Sequence, residues 1–106
     1  MNPGDIWWVS FDQASGGEIR KRRPVVIISN NTANRFANRV QVVPISSRIE
    51  KLYPCETLVQ VQSRKCKAMA DQLTTVSKHR LVGPLSTLTA QELERVETII
   101  RLQLGL

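Results

Sequence analysis

Acidic side chains are scarce in this 106-residue sequence: nine Asp and Glu stand against fifteen Lys and Arg, a formal net charge of +6 at pH 7. Cysteine is scarcer. Cys55 and Cys66 are too few for a disulfide framework and lack metal-site spacing, so reduced thiols and no metal site are expected. The single histidine, His79, excludes a two-histidine acid–base pair within one chain. With no nucleophile-elbow motif, it also leaves no acyl-transfer triad to assemble. No apolar run approaches the roughly 20 residues that cross a bilayer. The opening MNPGDIWWVS holds an acid and no basic n-region, which speaks against a secretory signal. No phosphate-cradling glycine loop occurs. The expectation is a cytoplasmic protein without cofactor, metal or membrane contact.

What the chain does have is an ordinary globular balance, 42% hydrophobic and 23% charged, which argues against disorder. Its length suits one domain over residues 1–106. The basic excess is segmental: residues 13–51 hold eight basic and two acidic side chains, whereas residues 86–106 hold two and three. Such an excess is the footprint of a polyanion partner, set against the plainer reading of a solvated basic surface.

Short strand signals dominate the first four-fifths of the chain. Asp5–Phe11 is rich in strand formers, and alternation places Trp7 and Trp8 on opposite faces. Residues 12–22 read as a long polar loop or an open hairpin with Gly16-Gly17. Val25–Ser29 is a continuous apolar run typical of a buried strand. Asn30–Asn38 reads as a turn or one helical turn, and Val40–Ser46 as a strand with Pro44 marking an edge or bulge. Thr57–Gln62 alternates, with Val59 and Val61 inward. Lys67–Leu73 is assigned to a fifth strand, Ser77–Arg80 to a helical turn, and Leu81–Leu88 to a last strand bent at Gly83-Pro84. Thr89 and Glu92 form a capping box, after which Leu93, Val96, Ile99, Ile100 and Leu104 recur at helical spacing up to Gly105. Five or six short strands followed by one amphipathic helix imply a small, strongly bent antiparallel barrel with the helix packed on it.

The tetrad Arg20-Lys21-Arg22-Arg23 precedes the buried strand. Such runs are commonly solvated or localisation signals. Arg23 differs because it stands before Pro24, which pushes it towards extended geometry and fixes it at the strand entrance. A fixed guanidinium suits phosphate, since its planar fork binds two oxygens at once. Glu18, in the same loop, is either a general base or a salt-bridge partner of the run. Ser46 and Ser47 lie at a strand exit, where hydroxyls are exposed but most often cap the strand. His79 reads as a surface turn residue. Asp71-Gln72 offers a carboxylate and an amide, and the two tryptophans read as core or interface before they read as a stacking platform.

In order and spacing these residues resemble the MazF/PemK family of toxin endoribonucleases over nearly the whole chain. The marks are Gly4-Asp5-Ile6-Trp7-Trp8-Val9 with Phe11-Asp12, Gly17-Glu18, and Arg23-Pro24 through Ser29-Asn30. Val43-Pro44-Ile45-Ser46-Ser47, Tyr53-Pro54, Ala70-Asp71-Gln72, Arg80-Leu81 and the closing Leu102–Leu106 follow. The resemblance implies an SH3-like barrel, a homodimer, and metal-independent cleavage of single-stranded RNA at short motifs. It also implies a cognate antitoxin whose acidic, flexible tail covers the RNA groove. The family's catalytic arginine and hydroxyl map onto Arg23 and Ser46, and its first-loop glutamate onto Glu18. Many relatives have threonine where this chain has Ser46, so the β-branch that restricts the rotamer is lost.

The chemistry fits that mapping. RNA carries its own nucleophile, the 2′-OH, so a protein need only orient the strand, stabilise charge on the phosphate and move protons. Arg23 is expected to stabilise that charge, Ser46 to hydrogen-bond the same phosphate, and Glu18 to act as base. Lys21, Arg22, Ser47 and Arg48 are expected to follow the RNA backbone, and Gln72 to read a base edge. Two alternatives remain: a CcdB-like gyrase-inhibiting toxin and a non-catalytic RNA-binding barrel.

Overall fold

The computed structural model describes residues 1–10 and 22–106. Among these residues, seven strands form one antiparallel sheet: β1 (Asp5–Ser10), β2 (Arg22–Ile27), β3 (Arg39–Ser46), β4 (Glu56–Val61), β5 (Arg64–Met69), β6 (Thr74–Ser77) and β7 (Leu81–Thr87). The hydrogen-bonded order is β4-β5-β3-β2-β1-β7, with β6 also paired to β3. A short helix, α1 (Asn31–Phe36), links β2 to β3, and a long one, α2 (Ala90–Leu104), ends the chain. The expected small antiparallel barrel takes the form of a half-barrel with the C-terminal helix. No described helix is long and apolar enough to cross a membrane.

The middle of the sheet is buried on both faces. Ile6, Val26, Val43 and Ile45 pack towards α2 with Val59, Ala68, Val96 and Ile99. The alternate residues Val9, Val25, Ile27, Val40 and Val42 form a second cluster with Val76, joined by Trp7 and Leu81. This explains the unbroken apolar run of β2: neighbouring side chains point to opposite faces, and both faces need apolar groups. Trp7 joins the second cluster and Trp8 turns to the other face, as alternation requires.

Local signals set α2. Thr89 Oγ1 accepts from the Glu92 N–H (3.1 Å) while Glu92 Oε1 accepts from the Thr89 N–H (2.9 Å), closing the capping box. Gly105 takes φ +71°, with Leu106 N–H on the Arg101 carbonyl (2.9 Å) and Gly105 N–H on that of Leu102 (3.3 Å), a Schellman stop. Gly4 has φ +95°, and a Cβ there would meet Leu93 Cδ2 at 3.3 Å, so glycine lets α2 approach the chain ahead of β1.

Two sequence expectations need correction. The strand expected at Lys67–Leu73 begins earlier, at Arg64, and stops at Met69, where Ala70–Gln72 forms a 3-10 turn. The Ala70 N–H still reaches the Cys55 carbonyl (3.0 Å), in register with the β4–β5 ladder; beyond it no β-branched residue favours extension, and the Leu73 N–H turns back to the Ala70 carbonyl (3.1 Å). Thr74–Ser77 is an additional strand, giving seven among the described residues in place of the expected five or six. It is only four residues long and is held by its ladder to Arg39–Val42 of β3.

The sheet order leaves β4 and β7 as unpaired ends, and α2 covers the β4 edge. Gln60 N–H donates to Glu92 Oε2 (2.7 Å), and Arg95 Nη2 donates to the Leu58 carbonyl (3.3 Å). One carboxylate thus serves both a helix cap and a sheet edge. Burial pushes the Glu92 carboxyl up. The N–H groups of Thr89 and Gln60, the Thr89 hydroxyl and the Arg95 charge outweigh it and hold the group below 4.5. A depressed carboxylate stabilises the fold above its unfolded value and loses that contribution as pH falls through the folded value. Urea titrations are therefore expected to show stability falling on acidification below 4.5, with a shallower fall in Glu92→Ala. At neutral pH, Glu92→Ala should cost roughly 2–4 kcal/mol, because two backbone donors lose their acceptor. Glu92→Gln, with one carbonyl oxygen for two donors, should fall between wild type and Glu92→Ala.

Candidate functional site

Two prolines shape a place where the sheet opens. The Ile28 N–H reaches the Gln41 carbonyl (3.0 Å), which sets the phase of the β2–β3 ladder. Counting back by twos, Val26 faces Val43 in a hydrogen-bonded pair, and Pro24 falls where an N–H towards Ile45 would be needed. Proline has none, and the ladder stops at Val25↔Pro44. Pro44 itself lacks the donor on its other edge. There β3 leaves β6, last paired at Val42↔Thr74, and takes up β5 at Ile45↔Ala68. The two strands diverge, and a cleft of about 500 Å³ lies between them.

Arg22 and Arg23 line one side of this cleft and Ser46, Ser47 and Arg48 the other. Arg23 is held as expected, paired with Val9 of β1. Arg22, from a run of the kind that is commonly solvated, is also in the strand, opposite Ser10. Ser46 ends β3, and its Oγ accepts the Arg48 N–H at 3.1 Å. That bond fixes the oxygen while its proton remains to donate towards the cleft. Ser47 and Arg48 are exposed beyond the strand end.

The loop after Ser46 is tied down by a buried ion pair. Lys67 is the β5 partner of Ser46. Its Nζ contacts Glu56 Oε1 at 2.8 Å and the Lys51 carbonyl at 3.0 Å, beneath the Tyr53 ring at 5.6 Å. The same Glu56 oxygen accepts the Tyr53 N–H (2.9 Å). Burial raises the Glu56 carboxyl, but the Lys67 and Tyr53 hydrogen bonds and the Lys67 charge more than offset this and lower it. Residues 51, 53 and 56 are thereby anchored beside Ser46.

Several lining residues were invisible in the sequence. Arg64 and Gln62 reach the cleft from the β4–β5 hairpin, and Trp8, Val61 and Leu85 supply apolar wall. The hairpin turns through two residues with positive φ, Gln62 (+51°) and Ser63 (+68°). A primed turn usually announces itself with Asn-Gly or Asp-Gly, and Gln-Ser does not. The left-handed conformation costs about 1–2 kcal/mol per non-glycine residue, so surrounding contacts must hold it. Four arginines, Arg22, Arg23, Arg48 and Arg64, face this cleft, and none of its described lining residues is acidic. A cleft lined by arginines and serines, with no acid among its described residues, is built for a polyanion.

Other candidates lie elsewhere. Gln72 is not among the lining residues; its amide contacts Met69 Sδ at 3.6 Å from the 3-10 turn after β5. His79 is exposed in the turn Lys78–Arg80, its backbone N–H on Ser77 Oγ (3.3 Å). Cys66 sits opposite Val59, four residues along β4 from Cys55, which is too far for a disulfide. Glu18 and Lys21 lie outside the described residues.

The sequence pattern of the PemK-like, MazF-like toxins of type II toxin–antitoxin systems matches residues 2–104. The endoribonuclease MazF9 of Mycobacterium tuberculosis is 36% identical over all of this chain and 98% of its own length. The endoribonuclease MazF of Staphylococcus saprophyticus is 32% identical, covering all of this chain and 92% of its own. Among solved structures, a mycobacterial endoribonuclease in complex with its cognate antitoxin superposes with a TM-score of 0.82 at 22% identity. That match spans the whole chain and 96% of the other.

The buried pair beside Ser46 makes a separate expectation. Glu56→Ala should cost about 3–5 kcal/mol, because it strands the Lys67 ammonium in a buried position. Replacing both partners, Glu56→Gln with Lys67→Met, should cost less than the sum of the single changes. A double-mutant cycle by urea denaturation measures the difference.

Proposed function

The chain belongs to the PemK-like, MazF-like toxin family of type II toxin–antitoxin systems, and from that premise we propose that it is a sequence-specific endoribonuclease cutting single-stranded RNA. The observation that carries the proposal is the placing of Arg23 and Ser46 on opposite sides of one cleft with no acid among its described lining residues, where β2 and β3 part at Pro24. The 2′-OH beside the scissile phosphate attacks phosphorus, the bond to the 5′-oxygen breaks, and a 2′,3′-cyclic phosphate and a 5′-OH result. One proton leaves the 2′-oxygen and one reaches the departing 5′-oxygen. Arg23 stabilises the negative charge that builds on the non-bridging oxygens, where a preorganised donor has most effect. Ser46 donates to the same phosphate, its oxygen steadied by the Arg48 N–H. Glu18 is proposed as the base that takes the 2′ proton. Arg22, Ser47 and Arg48, with Lys21, follow the flanking backbone by charge and hydrogen bonding. No step in this scheme calls for a metal, because the substrate supplies the nucleophile.

The same proposal places the protein in the cytoplasm, as one domain over residues 1–106 and a homodimer of twice the 12.0 kDa chain. A cognate antitoxin with an acidic, flexible tail would compete with RNA for the guanidinium-lined cleft, since both are polyanions. Complexes of similar toxins with their antitoxins support the antitoxin partner itself. A gyrase-inhibiting barrel gives no reason to set Arg23 and Ser46 across one cleft, and a binding-only barrel would leave the RNA intact.

Cleavage of a long RNA is expected to continue in EDTA and to stop when the cut nucleotide alone is 2′-deoxy. Arg23→Ala should lower turnover roughly 10²–10³-fold. Ser46→Ala should lose less, and Ser46→Thr should keep activity. End mapping reads all four. Undiminished cutting of the 2′-deoxy substrate would remove the mechanism, and intact RNA with the wild-type protein would remove the activity itself.

A further inference from the structure

The β4–β5 hairpin tip has no role in the chemistry above, yet it faces the same cleft from the opposite end of the sheet. β4 and β7 are the two ends of the strand order and do not pair with each other. Across that seam, Gln62 Nε2 donates to the Leu85 carbonyl at 3.2 Å. The acceptor is available because β7 carries an extra residue there: the register with β1 runs from Trp7↔Pro84 to Ile6↔Ser86 and skips Leu85. A bulge residue is left off the ladder, and the Gln62 amide takes up its carbonyl. The tip that presents Gln62 is the two-residue turn at φ +51° and +68°, built without glycine. Left-handed conformation in non-glycine residues concentrates where function demands a fixed side chain. Arg64, next on the strand, is exposed, lines the cleft and has no ion-pair partner among the described residues.

Resting on the ribonuclease reading, we propose that this tip is a specificity element: Arg64 binds the phosphate of a nucleotide flanking the cut, and Gln62 exchanges the Leu85 carbonyl for the edge of that nucleotide's base. An amide offers a donor and an acceptor side by side, the pattern that Watson–Crick and Hoogsteen edges complement. The Gln62–Leu85 bond is one neutral hydrogen bond on an exposed side chain, weak enough to be replaced by another of the same kind. The neighbouring Val61 and Leu85 side chains, with Trp8, supply an apolar floor for the base face. Arg64 brings the backbone to the tip, and Gln62 reads what arrives.

The test uses full-length wild type, Gln62→Ala, Gln62→Glu and Arg64→Ala on one long RNA, with ends mapped by sequencing. Binding of a non-cleavable 2′-deoxy oligonucleotide is followed by anisotropy, and circular dichroism checks the fold. Arg64→Ala should raise KM about tenfold with kcat within about twofold, and should make the log–log salt dependence of binding shallower by about 0.7. Gln62→Ala should admit additional bases at one position beside the cut while leaving the others unchanged. Gln62→Glu, which replaces the donor by an acceptor, should shift the preference at that same position. Wild-type cutting with the same motif and KM in folded variants overturns the inference and leaves the ribonuclease reading standing. A tip that matters only to antitoxin binding gives that same result. Absence of cutting by wild type overturns the ribonuclease reading first.

Discussion

A missing backbone donor organises this molecule. Pro24 cannot offer the N–H that would carry the β2–β3 ladder on to Ile45, and Pro44 cannot offer the one that would join β3 to its other neighbour at the same level. Without those bonds β3 is free to turn from β6 to β5, and the sheet bends where it turns. The polar groups at the divergence, two arginines on β2 and two serines at the end of β3, are thereby left facing a cleft instead of each other. The catalytic proposal and the barrel's curvature have one cause.

A bent sheet with two unpaired ends must be closed by something other than a ladder. Along β4, α2 does this with side chains: Glu92 takes the Gln60 N–H and Arg95 takes the Leu58 carbonyl. Between β4 and β7, Gln62 spans the seam to a bulged carbonyl. The first closure is anchored in a helix with a capping box and a Schellman stop, so it is part of the fold. The second rests on one exposed amide and lies in the cleft, and it is suited to exchange its partner.

Two of the described carboxylates are spent on structure. Glu56 and Glu92 are each drawn into contacts that hold their carboxyls below the usual value, Glu56 by Lys67 and Tyr53, Glu92 by backbone donors and Arg95. Neither lines the cleft, whose described residues keep an uncancelled positive field. Anchoring the loop after Ser46 through Lys67 places a cation under that loop without adding a carboxylate to the substrate's path.

The sequence by itself determined what depends on neighbours along the chain. The helix at Ala90–Leu104, with its Thr89–Glu92 cap and Gly105 stop, was legible because caps are local hydrogen bonds. So were the doubly buried β2, from its unbroken apolar run, and the fixing of Arg23 by the proline after it. Ser46 at a strand exit was legible for the same reason. Tertiary structure decided the rest. Lys67 reads as a surface residue, yet it is buried because Glu56, Lys51 and Tyr53 converge on it from a separate segment. Gln62 and Arg64 enter the cleft only because a turn without glycine and a bulge in β7 bring distant strands together. Gln72, plausible by its place in the motif, lies in the 3-10 turn that ends β5 and is not among the residues lining the cleft. Each of these outcomes depends on partners more than ten residues away or on a strand's exact end, and local propensity carries no record of either.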